Sequence, residues 1–423
     1  MSIPVAVLDI GTTKTVALIA ERASDGVRIL GVGMAPSEGI RKGVVVDVKL
    51  AAQSIALAVE QAERMANMSI EGAYVGIAGA HIASINSRGV APIPHGRAVT
   101  QDIVQRAMDA AQAIAVPDNR EVVHAIARGF SLDGQDGVRD PIGMMGYRLE
   151  VEAHIVTGAV ASIQNLYKAV EAAGVRVIQL VLEPIASGEA VLTSAERDLG
   201  VALVDIGGGT TDIAIFIEGS VWHTVVLPIG GMHLTNDLAV GLRAPFAAAE
   251  EIKIKYGTVL ADDARPEEII ELAAFGEEEM RVVSRREVAE ILQARAEEIF
   301  TLVLTEIKRS GYDGLLPAGI VLTGGTAQLA GIKTFAREIV GLPSRVGSPQ
   351  KIEGLVERVS APAFATGVGL TQWGLHEADN QTLELTKMEA RARRKSREGV
   401  FAPLVNVGGW LRNALLPERG EAQ

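Results

Sequence analysis

The chain has 423 residues, of which 48% are apolar and 22% charged, with a formal net charge of −12. This composition is typical of a globular protein with more than one core, and the negative charge argues against broad nucleic-acid binding, which requires neutralised phosphates. The absence of cysteine excludes disulfides, thiolate zinc sites and a cysteine nucleophile. No apolar run reaches the roughly 18 residues that span a bilayer, and the first residues lack a signal-peptide pattern, so we expect a cytoplasmic protein.

The first predicted elements are two strands, at 4–10 and 15–20, joined by a short polar turn. The polar residues of this turn are Asp9, Gly11, Thr12, Thr13 and Lys14. Glycine lets backbone N–H groups approach an anion closely, threonine adds hydroxyl donors, and an aspartate can hold a hydrated Mg²⁺. An ordinary glycine-containing hairpin is the alternative reading. Lys14 is either a phosphate ligand or a lysine that faces outward from its strand.

A third strand at 28–34, a helix at 50–65 and a strand at 74–78 complete the opening of a mixed α/β domain. Residues 82–158 differ, because glycine, proline and charge separate short elements, and we predict an inserted α+β subdomain there. Its predicted elements are a helix at 100–115 and strands at 122–127 and 148–156.

The chain continues with a helix at 162–173, a strand at 175–182 and a helix that starts at Glu183. A second apolar strand and polar turn follow. The polar residues of this turn are Asp205, Gly207, Gly208, Gly209, Thr210, Thr211 and Asp212. Because the pattern of the first turn occurs twice, we predict two similar domains whose turns face each other. Such turns would clamp a nucleotide's phosphates and metal from both sides.

Beyond the second turn we predict a strand at 221–228 and helical segments at 233–256 and 285–310, with a small subdomain of short strands between them. A further strand ends in the glycine turn Gly324–Gly325, and a helix follows at 332–340.

Residues 377–399 are predicted to form a polar linker that ends in a basic run. In 400–416 the apolar residues share one face at helical spacing. They are Phe401, Leu404, Val407, Trp410, Leu411, Ala414 and Leu415. An amphipathic helix behind a basic segment is typical of proteins that bind the surface of an anionic membrane. The alternative is a helix that folds back onto the core or docks on a partner.

The three glycine turns and their order resemble the nucleotide-binding motifs of the actin, Hsp70 and hexokinase superfamily, over residues 3 to about 372. The resemblance implies an α/β protein with the actin-like two-domain ATPase fold, in which two ribonuclease H-like domains bind ATP and Mg²⁺. The implied first domain comprises 1–81, 159–193 and 360–376, with 82–158 inserted into it. The implied second domain comprises 194–244 and 311–359, with a small subdomain at 245–310.

The same resemblance implies roles for individual residues. Asp9 and Asp205 would hold the metal through water. The phosphates would be bound by Gly11, Thr12, Thr13 and Lys14 on one side and by Gly207, Gly208, Gly209, Thr210 and Thr211 on the other. The adenosine and its ribose would contact Gly324, Gly325, Glu250 and Lys253. Glu183 or Gln179 would orient the attacking water, and we expect hydrolysis to be slow at most.

Within the superfamily, the chain most resembles the FtsA family of bacterial cell-division proteins, because of the insert, the core length and the terminal amphipathic segment. This resemblance implies a protein that polymerises with itself on the cytoplasmic face of the cell membrane, held there by 400–416. It would anchor FtsZ filaments at the division septum through a surface around 245–310, and the inserted subdomain would bind other division proteins. Two alternatives stay open: a PilM-like scaffold of pilus assembly and a small-molecule kinase of the same superfamily.

Overall fold

The structure is a computed structural model and describes residues 4–113, 116–272, 275 and 280–379. The strands are β1 (Val5–Ile10), β2 (Lys14–Ala23), β3 (Gly26–Pro36), β4 (Ile40–Arg41), β5 (Val44–Val45), β6 (Gly72–Ile77), β7 (Ala83–Pro92), β8 (Arg120–Leu132), β9 (Gln135–Val138), β10 (Arg148–Ala159), β11 (Arg176–Leu182), β12 (Val201–Ile206), β13 (Thr211–Ile217), β14 (Ser220–Leu227), β15 (Ile269–Leu272), β16 (Arg281–Ser284), β17 (Ile320–Thr323), β18 (Ser344–Val346) and β19 (Ile352–Gly354). The helices are α1 (Val48–Ala66), α2 (Gln101–Gln112), α3 (Val160–Ala172), α4 (Glu183–Val191), α5 (Ser194–Leu199), α6 (Gly231–Gly241), α7 (Phe246–Tyr256), α8 (Arg285–Ser310), α9 (Ile332–Val340), α10 (Val356–Val359) and α11 (365–379).

The first domain is built on a six-stranded sheet in the order β11-β6-β1-β2-β3-β19. Strands β1, β2 and β3 form an antiparallel meander, and β6 and β11 continue the sheet in parallel beside β1. A short β19 pairs in parallel with β3 at the opposite edge. The carboxyl ends of the central strands therefore meet beside the turn between β1 and β2.

The helix α1 packs on this sheet through Ile55 and Val59 together with a row of alanines. Ala58 and Ala62 are fully buried, whereas Leu57 is 53% exposed. A Cβ on Gly31 or Gly33 of β3 would collide with the carbonyl oxygens of Ala62 and Ala58, so the helix lies unusually close to the strand. Helical spacing predicted the element correctly, and the alanines of its buried face allow this approach.

The second domain has the same strand connectivity as the first. Its five-stranded sheet has the order β14-β13-β12-β17-β18, again an antiparallel meander followed by two parallel strands. This shared connectivity confirms the duplication that the two polar turns predicted. The turn between β12 and β13 occupies the same place in the second sheet as the turn between β1 and β2 in the first.

The insert forms a four-stranded antiparallel sheet of its own, in the order β7-β10-β8-β9, with α2 packed on one face. Its apolar core includes Ala107, Leu149, Val151 and Ile155, all fully buried. This is the predicted α+β subdomain.

The helical segment predicted at 233–256 is divided into α6 and α7. The break lies at 242–245, where Arg243 adopts a left-handed φ of 52° and Pro245 has no N–H to continue the helix. The helix α8 has the predicted bounds, and the hairpin of β15 and β16 precedes it.

The compact unit of the chain extends to Leu375. Apart from residues 377–379, the predicted linker at 377–399 and the predicted amphipathic helix at 400–416 lie outside the described residues. In the part of the chain that the structure describes, no helix combines the length and apolar composition needed to cross a membrane.

Candidate functional site

The two polar turns are built in the same way. The N–H of Gly11 donates to the carbonyl of Lys14 at 3.1 Å, and the N–H of Gly207 donates to the carbonyl of Thr210 at 2.9 Å. In each case the aspartate lies on the strand just before the turn, and both Asp9 and Asp205 are only 7% exposed. Each turn therefore places a buried carboxyl beside a tight glycine loop.

The turns face each other across a narrow cleft. A Cβ built on Gly208 would collide with the side chain of Thr13, and one built on Gly209 would collide with that of Thr12. Glycine is required here because of this opposing turn, since neither residue has an unusual φ. The two predicted halves of the site lie in direct apposition, as the repeated pattern indicated.

The second turn is held in place from behind. The N–H groups of Gly231 and Met232 at the start of α6 donate to the carbonyls of Gly207 and Gly208 at 2.9 and 2.8 Å. The hydroxyl of Thr326 also donates to the Gly207 carbonyl, at 3.1 Å. These bonds fix the turn on a helix and on the third glycine segment.

Four carboxyl groups converge in the cleft: Asp9, Glu183, Asp205 and Asp212. Burial raises the pKa of Asp9 to about 6, with Lys14 opposing the shift and Asp205 adding to it. Burial and then Asp205 raise the pKa of Asp212 to about 8. Burial, followed by the other three carboxylates, raises the pKa of Glu183 well above its ordinary value. The cleft without a bound cation therefore favours protonated carboxyls.

Asp205 is held by hydroxyl groups from the helices α4 and α11. Ser187 of α4 donates to Asp205 Oδ2 at 2.6 Å, and Thr366 of α11 donates to the same oxygen at 3.3 Å. These bonds lower the pKa of Asp205, although burial raises it by more. The helices cross so closely that a Cβ on Gly369 would collide with the Ala186 carbonyl. The carboxylate is thus oriented at the junction of the two domains.

Lys14 points into the cleft rather than outward from its strand. Its Nζ donates to the carbonyl of Ala363 and lies 3.8 Å from the centre of the Phe364 ring. Burial lowers its pKa, while Asp9 and Asp205 oppose that shift. Lys14 lines the cleft together with Thr12 and Thr13, so the phosphate-ligand alternative fits its position.

The cleft opens into a larger pocket of about 730 Å³ that both domains line. Gly325 lies at its floor, and Gly324, with a φ of +86°, packs its Cα against Asp205. On the far wall, Lys253 forms a 2.8 Å ion pair with Glu250 and donates to Thr235 at 2.9 Å. This pocket is large enough for a nucleoside beside the phosphate cleft.

Two predicted site residues are not brought to the cleft. Thr211 is fully buried in β13, and its hydroxyl donates to the carbonyl of Ile229 at 2.8 Å. Gln179 lies within β11 opposite Tyr74, four residues before Glu183, and does not line the cleft. Successive side chains of a strand point to opposite faces of the sheet. Because Thr210 faces the cleft, the side chain of Thr211 faces the core.

Three residues of the cleft were missed as site residues: Ser187, Thr366 and Asp212. The signal for Asp212 was present, since it closes the second motif and pairs with Asp205 across the hairpin. Ser187 and Thr366 lie far from the turns in sequence, and only the crossing of α4 and α11 brings them to Asp205.

The donor set fits a magnesium ion that arrives with phosphates. In the described ranges, no three His, Asp or Glu side chains form a metal site of their own. Mg²⁺ usually keeps several waters and takes one or two carboxylates together with substrate phosphates. Asp9 and Asp205 supply such carboxylates, and the buried Oδ1 of Asp212 has no hydrogen-bond partner among the described residues.

The chain is similar to cell-division proteins over nearly its whole length. It is 47% identical to the cell division protein FtsA of Pseudomonas aeruginosa, over 90% of this chain and 91% of that protein. It is 44% identical to the FtsA of Neisseria meningitidis serogroup B, over 97% of this chain and 98% of that protein. The chain belongs to the FtsA family. Sequence models named "Cell division protein FtsA" and "SHS2 domain inserted in FTSA" match residues 202–369 and 79–157.

Solved structures show the fold. A chain of the PilM-PilN type IV pilus biogenesis complex has a TM-score of 0.65 at 15% identity, covering 89% of this chain and 99% of that chain. MreB5 of Spiroplasma citri bound to ADP has a TM-score of 0.54 at 16% identity, covering 90% and 98%. These likenesses confirm the predicted actin-like fold. Membership of the FtsA family favours a cell-division role over the pilus-scaffold and kinase alternatives.

Proposed function

We propose that this cell-division protein binds ATP with Mg²⁺ in the cleft, polymerises on the cytoplasmic face of the membrane and anchors FtsZ filaments at the division site. The observation that carries the nucleotide part is the apposition of Thr12 and Thr13 with Gly208 and Gly209. The cleft that these two turns line has a volume of about 80 Å³, which suits a chain of phosphates better than a bulky metabolite.

Each wall of the cleft has a role in this proposal. Thr12, Thr13 and Lys14 bind the outer phosphates from one side, and Gly207–Thr210 bind them from the other. Asp9 and Asp205 would hold Mg²⁺ through water, with Ser187 and Thr366 fixing the second carboxylate. The ion would supply neutralisation of the phosphate charge when bound. Glu250 and Lys253 face the ribose and base, and Gly324 and Gly325 approach the α-phosphate.

Any hydrolysis depends on Glu183 in this scheme. Its carboxyl lies in the cleft beside Asp9 and Asp205, which is where a water in line with the γ-phosphate would need a partner. The pKa of Glu183 is raised in the nucleotide-free protein, so its carboxyl is held in the protonated form. A bound cation favours the ionised form that can orient the water. We therefore propose slow, Mg²⁺-dependent turnover.

Titration with a fluorescent ATP analogue, with and without Mg²⁺, tests the nucleotide part. The wild-type protein should bind tightly only with the metal, and D205N should lose this metal dependence while it keeps the hydrogen bond to Ser187. L57D, on the exposed face of α1, serves as the matched surface control and should bind as the wild type does. Tight binding by D205N that still depends on Mg²⁺ would contradict the assignment.

The membrane part rests on the sequence of 400–416 and on the basic run before it. Pelleting with vesicles that contain anionic lipid should bring down the full chain but not a chain that ends at residue 399. Binding should weaken as salt rises, since each cation contributes about 1 kcal/mol near such a surface. Equal pelleting of both chains would show that the anchor lies elsewhere.

The FtsZ part rests on the FtsA family and on the surface of the small subdomain. Ile269 and Val282 are 65% and 55% exposed on the hairpin of β15 and β16, which is unusual for large apolar residues. On vesicles that carry this protein, I269D should reduce FtsZ recruitment at least fivefold. L57D removes an equally apolar exposed side chain from α1 and should recruit normally.

Polymerisation rests on the actin-like fold, whose repeated head-to-tail contacts generate filaments. We propose that other division proteins bind the inserted subdomain. Electron microscopy of the protein on lipid monolayers with ATP and Mg²⁺ should show filaments, and removal of the nucleotide should disperse them. Discrete dimers under all conditions would contradict this part.

A further inference from the structure

A small cavity lies beside Glu183, which lines both this cavity and the cleft between the two turns. Its volume is about 10 Å³, which is the space that a single water molecule needs. Its polar walls come from Glu183, His81 and Ser162, and its other walls include Ile10, Gly43 and Gly76. The cavity thus joins the nucleotide cleft to the segment that leads into the insert.

His81 contributes an unsatisfied ring to this cavity. Both ring nitrogens are buried, and neither has a hydrogen-bond partner among the described residues. A neutral imidazole carries one donor and one acceptor, and buried polar groups of folded proteins are nearly always paired. Burial, followed by the charge of Arg120, lowers the pKa of His81 and so favours this neutral form.

Glu183 meets the cavity from the opposite wall. Its carboxylate makes no hydrogen bond to any residue within the described ranges. Gly76 of β6 provides the room for it, because a Cβ there would lie 3.3 Å from Glu183 Oε1. The unpaired His81 ring and the half-buried Glu183 carboxyl therefore border the same one-water space.

We propose that a buried water bridges His81 and Glu183, so that His81 is a positioning residue for the Glu183 carboxyl. The water can accept from or donate to either ring nitrogen while it binds a carboxyl oxygen, which satisfies both groups at once. The catalytic consequence rests on the proposed ATPase function, whereas the bridge itself does not.

The walls of the cavity are fixed from two directions. The N–H of Gly43 donates to the hydroxyl of Thr12 at 3.1 Å, which ties one wall to the first phosphate turn. On the other side, Arg120 of β8 donates to the carbonyl of His81 at 2.9 Å and to the carbonyl of Thr157 at 2.8 Å. Arg120 therefore joins the turn before β7, where the chain enters the insert, to β10, by which it leaves. The position of His81, and through it that of Glu183, therefore depends on the base of the inserted subdomain.

A double-mutant cycle in the nucleotide-free full chain tests the bridge. H81F keeps the ring volume but removes both nitrogens, and E183M keeps most of the side-chain length but removes both carboxyl oxygens. The bridge predicts non-additive shifts in Tm, with a coupling of about 2 °C. Because no nucleotide is needed, this readout is meaningful even if the ATPase proposal fails.

Kinetics test the positioning role. H81F should lower turnover at saturating ATP by about threefold or more with little change in KM. In an E183Q background, H81F should cause no further loss of turnover. H81Q, which restores one hydrogen-bonding group, should recover most of the loss. H95F is the matched control, because His95 is exposed in the insert and does not line the cavity, so its effects should add to those of E183Q.

Three outcomes would overturn the bridge. They are additive Tm shifts for H81F and E183M, equal turnover losses for H81F and H81Q, and a high-resolution crystal structure with a dry cavity. A water within hydrogen-bond distance of both groups, together with non-additive shifts, would support it. A wild-type chain that binds no ATP would instead defeat the proposed function and leave the Tm cycle to decide the bridge.

Discussion

Thr13 of the first turn and Gly208 of the second lie so close together that a single added Cβ on Gly208 would collide with the threonine side chain. This contact joins two domains whose sheets have the same connectivity. The distance between the turns is therefore set by both domains together, and a small change in domain orientation changes the space for phosphates.

The first prediction concerns this contact. G208A should lower the affinity for Mg²⁺-ATP at least about tenfold, because the added methyl forces the turns apart. The measurement is titration with a fluorescent ATP analogue. G129A is the matched control, since Gly129 lies in β8 with open space around it and without a positive φ. An unchanged affinity in G208A would show that the turns do not share the phosphates.

The second prediction separates two adjacent threonines. T211V should destabilise the fold by about 1 kcal/mol, because it removes the buried hydrogen bond to Ile229, but it should leave nucleotide affinity unchanged. T210V should weaken nucleotide binding, because Thr210 lines the cleft and donates to Asp212 at 2.9 Å. Chemical denaturation and nucleotide titration measure the two effects. The reverse pattern would mean that the strand register differs from the one described.

The third prediction concerns pH. In the folded, nucleotide-free chain the pKa of Asp212 is about 8, against an ordinary value of 3.8. Between these values the folded state holds a proton that the unfolded state has lost, so the free energy of unfolding falls as pH rises through that window. Tm should therefore be higher at about pH 6 than at about pH 8.5.

The variant D212N provides the control for this pH effect. An amide does not titrate, so the variant should show a shallower loss of Tm between the same two pH values. Asp9, whose pKa is raised to about 6, would account for part of the remaining slope. A slope in D212N as steep as in the wild type would place the titrating group elsewhere.

The fourth prediction distinguishes the two candidates for water orientation. E183Q should lower ATP turnover about 100-fold or more if the carboxylate acts on the attacking water, with a small change in KM. Q179A should leave turnover within about twofold, because Gln179 lies near the middle of β11, about 13 Å along the chain from Glu183 at strand spacing. Single-turnover assays would reveal even slow chemistry, and unchanged turnover in E183Q would reject Glu183.

Local sequence patterns predicted the parts of the fold that depend on short-range order. The two Asp-led turns, their duplicated domains and most helix and strand positions follow from periodicity and from glycine placement. The division of 233–256 into two helices was harder to predict from the sequence, because it depends on the left-handed conformation of Arg243 just before Pro245.

The site was predictable where one strand or turn carries it, and not where distant segments meet. Asp9, Asp205 and the glycines belong to contiguous motifs. Ser187 and Thr366 reach Asp205 only because α4 and α11 cross, and no local pattern encodes that crossing. Thr211 was wrongly predicted as a site residue, because it belongs to the contiguous motif. Side chains along β13 alternate between the two faces of the sheet, and that of Thr211 points into the core.

The most direct test of the central claim is a crystal structure of the full chain with a non-hydrolysable ATP analogue and Mg²⁺. We expect the β- and γ-phosphates in the cleft lined by Thr12, Thr13, Gly208 and Gly209, with a hydrated Mg²⁺ near Asp9 and Asp205. A nucleotide that contacts only one of the two turns, or a metal held away from both aspartates, would contradict it.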